Sequence, residues 1–280
     1  MAEAAQAKAG RRLIVHLGVH KTGSTAIQRH LHRNAAALAR RLILRTPWPD
    51  QPMQALGRAA QQFSLAPGGD TRKALRIALE DVLETLPAND LPVILSHENL
   101  AGAPPGKGQE IRLYPALPRI AELIRQTAGG FEVDFVIYTR SMETWRASLW
   151  AQIVRSEGYA GALADFLTDT ADLPGWDDLG HRMAEAVGQD RIRCFRLEDE
   201  AEHARPGRQL LRHAGLSDAE IAALPPLEGA SNERLSHGAT EFLRRLNGLS
   251  LNPHARRKVV DLVASNQFLF TADQPSAGTL

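Results

Sequence analysis

The stretch over residues 13–28 constrains the fold more than any other part of the chain. A mostly apolar run, Leu13–Leu17, leads directly into Gly18, and a helical pattern begins at Thr25. Strands that are covered on both faces have this composition, which is typical of parallel sheets. The residues between Gly18 and Gly23 are then a tight connection from strand to helix. We therefore expect a strand–loop–helix unit within a parallel sheet.

Three further runs rich in Val, Ile, Leu or Phe predict strands, and helical patterns separate them. The strand runs are Pro92–Ser96, Val133–Tyr138 and Arg191–Phe195. The helical patterns are Thr25–Leu42, Arg72–Leu86, Arg112–Thr127, Met142–Ser156 and Trp176–Val187. Strands that alternate with helices predict βαβ units, so we expect an α/β fold with a three-layer parallel sheet flanked by helices. We expect a single domain over residues 1–280, with its core at about 12–200.

After residue 197 the strand signals stop, and the chain is predicted to be helical over about 203–270. The helical patterns there are His203–Ala214, Ser217–Leu224, Ser236–Leu246 and Pro253–Ala264. Ser217 and Glu220 fit a capping box, and Ser236 is a candidate N-cap. Two segments are predicted to be long loops, 46–70 with its four prolines and 101–107, and long loops often border binding sites.

Composition excludes several classes of protein. The 33 Lys and Arg residues balance 32 Asp and Glu, and this net charge of +1 argues against a general nucleic-acid binder. Cys194 is the one cysteine, which excludes an intramolecular disulfide, and we expect it to be a buried strand residue. The sequence contains neither an apolar leader after Met1 nor a run of about 18 apolar residues. We therefore expect a cytoplasmic protein without a membrane span.

The loop GVHKTGST, residues 18–25, has the composition of a phosphate-binding site. A helix N-terminus offers unpaired backbone N–H groups and the positive end of the helix dipole. Gly18 and Gly23 allow a tight turn and a close approach of an anion, and two hydroxyl side chains follow at once. Lys21 adds a full positive charge in a chain that has only five lysines.

The order of these residues departs from the ATP-type phosphate loop. In GxxxxGK[ST] a lysine follows the second glycine, whereas here Ser24 follows it and the lysine lies inside the loop at position 21. Lys-x-Gly-[Ser/Thr]-Thr after a strand resembles the 5′-phosphosulfate loop of sulfotransferases, which use 3′-phosphoadenosine-5′-phosphosulfate (PAPS). The resemblance implies a P-loop NTPase-like, sulfotransferase-like fold with Lys21 as a catalytic residue. The implied cofactor-binding residues of the loop are Gly18, His20, Lys21, Thr22, Gly23, Ser24 and Thr25.

A second motif resembles the 3′-phosphate site of the same family. The run FVIYTR, residues 135–140, ends a predicted strand on Arg140, and Ser148 follows eight residues later in the next predicted helix. A guanidinium grips a phosphate with two hydrogen bonds, and a hydroxyl fixes its orientation. Taken alone, the pair indicates a solvated arginine and a packing serine. The family spacing, together with the first loop, favours binding of the 3′-phosphate of PAPS by Arg140 and Ser148.

A third motif supplies a candidate base. The strand Pro92–Ser96 delivers His97 and Glu98 to its carboxyl end, where open parallel sheets bind ligands. The segment resembles the strand-end Ser-x-Glu of bacterial and glycosaminoglycan-type sulfotransferases, in which the carboxylate is a candidate base. Other branches of that family use a histidine, so His97 is the competing base. In a further alternative, Glu98 pairs with Lys21 or Arg140 and only shapes the site. We favour Glu98 over His97.

These resemblances together imply a PAPS-dependent sulfotransferase. It would move a sulfuryl group from PAPS to a hydroxyl or amine of a small-molecule or glycan acceptor, and no metal is expected because protein cations replace magnesium. Two alternatives stay open from the sequence. One is a P-loop kinase or nucleotide-binding protein that uses ATP, and the other is a non-catalytic sulfotransferase-like binding protein. The sequence does not identify the acceptor, the adenine-binding residues or the oligomeric state.

Overall fold

The computed structural model describes residues 10–103, 112–200, 202–228 and 235–270, so most of the predicted loop at 101–107 lies outside them. The chain divides into two compact units. The first, here called the sheet unit, comprises the described residues of Met1–Ser141 and Leu173–Gly229. The second, here called the helical unit, comprises those of Met142–Asp172 and Ala230–Leu280. The single domain over 1–280 stays a prediction.

Within the described residues, five strands form one parallel sheet in the sheet unit. They are β1 (Arg11–Leu17), β2 (Ile43–Arg45), β3 (Val93–His97), β4 (Phe131–Thr139) and β5 (Ile192–Arg196). The strand order is β2-β3-β1-β4-β5, which confirms the predicted parallel α/β fold. Because β1 pairs with both β3 and β4, the carboxyl ends of these three strands adjoin one another. The three sequence motifs follow these three ends, at the edge where ligands bind in open α/β sheets.

Twelve α-helices lie in the described residues. They are α1 (Ser24–Arg33), α2 (Ala35–Leu38), α3 (Gln51–Leu65), α4 (Gly69–Glu84), α5 (Leu117–Thr127), α6 (Met142–Ser156), α7 (Leu163–Asp169), α8 (Trp176–Val187), α9 (Arg208–His213), α10 (Asp218–Ala222), α11 (His237–Asn247) and α12 (Pro253–Ser265). The helical character after residue 203 is confirmed. Ser217 forms the predicted capping box with Glu220, and Ser236 accepts the Ala239 N–H as an N-cap.

Helices cover both faces of the sheet. On one face, Ile14, Ile94 and Val136 belong to a buried cluster with apolar residues of α1, α2, α9 and α10. The alternate strand residues, among them Val15 and Phe135, are fully buried on the opposite face, where α5 packs against α8 and α8 contacts β5. Side chains alternate between the faces of a strand, so this double burial explains the nearly continuous apolar runs in the sequence. The predicted three-layer arrangement is confirmed.

The predicted loop at 46–70 is wrong, because most of it is the helix α3. Asp50 caps this helix, and its carboxylate accepts the Met53 N–H at 3.2 Å. Pro52 lies in the first turn, where a missing N–H costs no helical hydrogen bond. Pro47 and Pro49 precede the helix and Pro67 follows it. Three of the four prolines therefore flank the helix, and the fourth lies in its first turn without interrupting it.

Two smaller predictions also need correction. The single helix expected over Thr25–Leu42 ends at Arg33, because Asn34 leaves the helical conformation and its side chain donates to the His30 carbonyl at 2.9 Å. The chain then forms α2 and the three-residue edge strand β2, which is too short to give a sequence signal. Cys194 is exposed and not buried; it lies on β5, which is the edge strand beside β4 in the sheet of the described residues.

The helical unit has its own internal packing. Trp145 and Trp150 of α6 are buried, and the Trp150 indole donates to the Gly161 carbonyl at 3.0 Å. The Asn247 side chain at the end of α11 donates to the carbonyls of Val154 and Tyr159 at 2.8 and 2.9 Å. In the part of the chain that the structure describes, no helix is both long enough and apolar enough to cross a membrane.

Candidate functional site

Gly18 brings the loop after β1 into direct contact with the end of β3. Its N–H donates to the His97 carbonyl at 3.2 Å. A Cβ at this position would lie 2.6 Å from the Cα and 2.8 Å from the N of Glu98, closer than packed atoms approach. Only glycine fits here, and its absence of a side chain lets the loop lie against the Glu98 backbone.

Gly23 ends the loop and begins α1 with an uncapped N-terminus. It adopts the left-handed conformation, with φ 86°, and no side chain caps the helix. The first turn of α1 contains no acidic residue, so the positive end of the helix dipole is not neutralised locally. A Cβ on Gly23 would lie 2.9 Å from Leu197 Cδ1, so the segment after β5 packs against the loop. Such a helix start fits a phosphate group.

Lys21 also adopts a left-handed backbone, with φ 66°, which is uncommon for a residue with a side chain. The residues after it hold the loop in this conformation. The Thr22 hydroxyl donates to the Val19 carbonyl at 2.7 Å, and the Ser24 hydroxyl reaches the same carbonyl at 3.3 Å. These two hydroxyls therefore shape the loop, while the Lys21 and Thr25 side chains are exposed.

Tyr114 holds the loop from a position that was predicted to be helical but that precedes α5, which begins only at Leu117. Its buried hydroxyl accepts the His20 backbone N–H at 3.0 Å and lies 3.2 Å from His20 Nδ1. The two rings stack, with centroids 5.9 Å apart and planes 8° apart. Tyrosine occurs only three times in the chain, and lysine is similarly rare. This rarity was the only feature of the sequence that could have drawn attention to Tyr114.

Glu98 is half-buried at the start of a 3-10 turn, Glu98–Ala101, that follows β3. Burial raises the pKa of its carboxyl, and the positive charge of Lys21 acts in the opposite direction. The charge of Lys21 therefore favours the ionised form of Glu98. A carboxylate with a raised pKa beside a cation has the character of a general base.

His97 has a different environment from Glu98. Its ring is 5% exposed, and Nδ1 accepts the Asn99 N–H at 3.0 Å, which caps the 3-10 turn. Nε2 lies against α3, because a Cβ on Gly57 would be only 2.1 Å from it. Burial, together with the charge of Arg58, lowers the pKa of His97 to about 4. The imidazole is therefore a neutral group that positions the turn carrying Glu98.

This close packing predicts the effect of adding a methyl group at Gly57. Gly57→Ala is expected to lower the free energy of unfolding by ~1–3 kcal/mol, because the His97 ring has to move and loses its contact with Asn99. Thermal unfolding monitored by circular dichroism measures this change. Gly180→Ala in α8 is the control, since nothing lies within 4 Å of its added Cβ. Equal stability of the two variants would contradict the packing described.

A buried polar cluster supports the loop from below. The Ser96 hydroxyl accepts from the Gln28 amide at 3.2 Å and bonds His16 Nδ1 at 2.8 Å. All three side chains are fully buried, and burial lowers the pKa of His16 to about 4. The cluster links β1, β3 and α1 immediately beneath the residues that form the site. Neutral groups suit this position because a buried charge would cost free energy.

Arg140 directly follows β4 in the sheet unit, and its backbone is held from the β5 side. Its carbonyl accepts the Trp176 indole N–H, and the N–H of the next residue, Ser141, donates to Glu198 at 2.8 Å. Burial alone would raise the pKa of Glu198, but the Ser141 N–H and the charges of Arg196 and Arg140 hold it below its usual value.

Ser148, the predicted partner of Arg140, lies half-buried on α6 in the helical unit. The joint use of Arg140 and Ser148 stays a prediction. Among the described residues, no group of three or more His, Cys, Asp or Glu side chains is placed to hold a metal ion.

The chain was compared with known proteins at the level of sequence and of structure. No family model matches the sequence, and no curated protein matches it. Among solved structures, it is similar to a sulfotransferase from Alicyclobacillus acidocaldarius, with a TM-score of 0.44 and 12% identity. The match covers 94% of this chain and 97% of that chain. A similarity this distant assigns no activity, so the candidate site is argued from the residues of this chain.

Proposed function

We propose that this chain is a PAPS-dependent sulfotransferase whose acceptor is a hydroxyl or amine of a small molecule or glycan. One observation carries the proposal. A cation, Lys21, lies inside a loop that ends in an uncapped helix N-terminus, and the backbone of a carboxylate residue, Glu98, packs against the same loop. A transferase for an anionic group needs an anion cradle, a cation at the bond that breaks and a base for the acceptor.

The loop residues fit the phosphate end of such a donor. Gly18 and Gly23 let the loop pack closely against Glu98 and Leu197, and no side chain caps the start of α1, where the N–H groups of a helix can bind an anion. PAPS supplies, when bound, a sulfuryl group that is activated by its bond to phosphate. Lys21 neutralises the negative charge that develops on the phosphate side as that bond breaks. Its side chain is exposed to solvent, from which the donor would bind.

Glu98 is assigned as the base that takes the acceptor proton. Its carboxylate is half-buried, its pKa is raised by burial, and it adjoins the Lys21 charge. His97 is the poorer candidate because Nδ1 already accepts the Asn99 N–H and Nε2 lies against α3. The proposal therefore gives His97 the role of holding the turn, and it gives proton transfer to Glu98.

Arg140 is assigned to the 3′-phosphate of the donor. Arg140 follows the strand next to β1, so its backbone lies at the same sheet edge as the loop. A guanidinium can bind a phosphate through two parallel hydrogen bonds.

The nucleotide preference tests the proposal directly. We expect 3′-phosphoadenosine-5′-phosphate to raise the melting temperature of the protein, and ATP with magnesium to raise it less at equal concentration. Turnover of labelled PAPS with a panel of hydroxyl and amine acceptors then tests catalysis. Stabilisation by ATP with magnesium alone would instead support a kinase or ATP-binding protein. Binding of the bisphosphate without turnover on any acceptor would support a binding protein.

Arg140→Ala is expected to weaken binding of 3′-phosphoadenosine-5′-phosphate by about 10- to 100-fold, because a charge-assisted contact to the 3′-phosphate is lost. Isothermal titration calorimetry measures the affinity. Arg125→Ala removes an exposed arginine of α5 and serves as the control for the change in net charge. Equal affinities of the Arg140 variant and the native protein would rule out the assigned role.

A further inference from the structure

We propose that Tyr114 is a positioning residue, which fixes His20 as the neutral imidazole with its proton on Nε2. His20 then donates from Nε2 to an oxygen of the anion that the loop binds. The assignment of Tyr114 rests on geometry within the sheet unit. Only the identity of the anion, a phosphosulfate, rests on the proposed function.

The hydrogen bonds of the Tyr114 hydroxyl determine the tautomer of His20. The His20 backbone N–H donates to the phenolic oxygen at 3.0 Å, so this oxygen already acts as an acceptor. The phenol has one proton of its own, and its side chain is 1% exposed, so this proton needs a partner within the protein. Among the described residues, His20 Nδ1, at 3.2 Å, is the group beside the hydroxyl that can accept this proton. Nδ1 is then an acceptor without a proton, and the ring proton of neutral His20 resides on Nε2.

Two features keep the phenol available as this donor. Burial raises the pKa of Tyr114 above its usual value, so the hydroxyl keeps its proton at all physiological pH values. The stacking of the two rings, with planes 8° apart, keeps Nδ1 beside the hydroxyl. A ring that rotated about its axis would break this contact.

The backbone around Tyr114 is itself anchored. The Arg182 guanidinium on α8 donates to the Leu113 carbonyl at 2.7 Å and is held by Asp178 on the same helix. The Tyr114 carbonyl accepts the Leu117 N–H at 3.0 Å at the start of α5. Tyr114 has a left-handed backbone, with φ 47°, which is uncommon for an aromatic residue. A residue held in a sparsely populated conformation by several anchors is typical of functional sites.

The position of His20 gives this tautomer a chemical consequence. His20 directly precedes Lys21 and is half-buried, so its ring borders the part of the loop that carries the charge. An imidazole N–H is a donor for phosphate or sulfate oxygens, whereas the bare Nε2 of the other tautomer would repel them. The same hydroxyl also holds the His20 peptide, next to the left-handed residue Lys21. Tyr114 thus sets both the donor and the loop conformation.

Nitrogen-15 NMR of the histidine rings tests the tautomer in the ligand-free protein. We expect His20, assigned by its absence in His20→Gln, to be the Nε2–H tautomer in the native protein. In Tyr114→Phe it should shift towards a mixture of the two tautomers. Tyr159→Phe, in the helical unit, should leave the signal unchanged. A native His20 with its proton on Nδ1, or a signal that is the same in Tyr114→Phe, would overturn the proposal. The native spectrum decides the tautomer even if the variant does not fold.

Kinetics then test the consequence for transfer. Tyr114→Phe is expected to lower kcat by about 10-fold with a smaller change in KM for PAPS, because a donor to the transition state is misplaced. In the double variant with His20→Gln, the loss should be no larger than in His20→Gln alone. A loss in KM only, or fully additive losses, would leave Tyr114 with a merely structural role. Failure of PAPS turnover altogether would refute the proposed function but would not alter the tautomer result.

Discussion

Lys21→Ala is expected to abolish most of the sulfuryl transfer, with kcat about 100- to 1,000-fold lower. The ammonium group is the cation of the loop that faces Glu98, and alanine leaves the charge on the departing phosphate without a partner. Alanine replaces lysine at φ 66° without added backbone strain, because both residues carry a Cβ. The fold should therefore survive, and turnover of labelled PAPS measures the loss.

Lys73→Ala is the matched control for this experiment. Lys73 is an exposed lysine of α4 in the same unit, so the variant removes the same charge from a position outside the site. Circular dichroism and the melting temperature establish that both variants are folded. Normal turnover by folded Lys21→Ala would defeat the mechanism.

Glu98→Gln is expected to lower kcat by about 100- to 10,000-fold while the affinity for 3′-phosphoadenosine-5′-phosphate changes little. The amide has nearly the size of the carboxyl group but cannot take a proton from the acceptor. His97→Gln provides the contrast, because the structure gives His97 a positioning role through Asn99. A larger loss in folded His97→Gln than in Glu98→Gln would transfer the role of base to His97.

The raised pKa of Glu98 determines the direction in which both kcat/KM and the stability of the fold change with pH. The base works only when it is deprotonated, so kcat/KM should fall as pH decreases through a pKa above the usual value of a glutamate. Because the folded pKa exceeds the unfolded one, ionisation of Glu98 costs stability as pH rises through this window. At pH values above this window, Glu98→Gln should therefore be at least as stable as the native protein. A loss of activity in this variant can then be attributed to catalysis and not to unfolding. A melting temperature of Glu98→Gln below that of the native protein at neutral pH would contradict this assignment.

Lys21 and Glu98 are also linked through this titration. The ammonium group opposes the rise in the Glu98 pKa, so in Lys21→Ala the carboxyl should titrate at higher pH than in the native protein. Carbon-13 NMR of the glutamate carboxyl groups measures the shift without any turnover. An unchanged pKa would show that the two side chains do not interact.

The sheet and the position of the loop could be predicted from the sequence because burial on both faces leaves a strong pattern. Continuous apolar runs such as Leu13–Leu17 occur where helices cover both sides of a strand, and the structure has this arrangement. The sequence predicted that Gly18 and Gly23 allow a tight turn through their conformational freedom. The structure adds that Gly18 also has to lack a side chain, because the Glu98 backbone fills that space.

Features that depend on position within an element, or on distant contacts, could not be predicted. The prolines around α3 resembled those of a loop, since composition does not distinguish a proline in a first helical turn from one in a turn between strands. Tyr114 is 94 positions from His20, and its contact with the loop exists only after β1 and the start of α5 are brought together. The exposure of Cys194 likewise depends on the place of β5 in the sheet order.

The left-handed backbone of Lys21 has a consequence for laboratory evolution of this protein. A lysine in that conformation costs on the order of 1 kcal/mol, which glycine would recover and asparagine would partly recover. Selection for heat resistance alone would therefore favour replacement of Lys21, and it would enrich stable proteins that have lost the loop cation. Screens that retain activity as a criterion would keep the strained lysine and find their gains elsewhere in the chain.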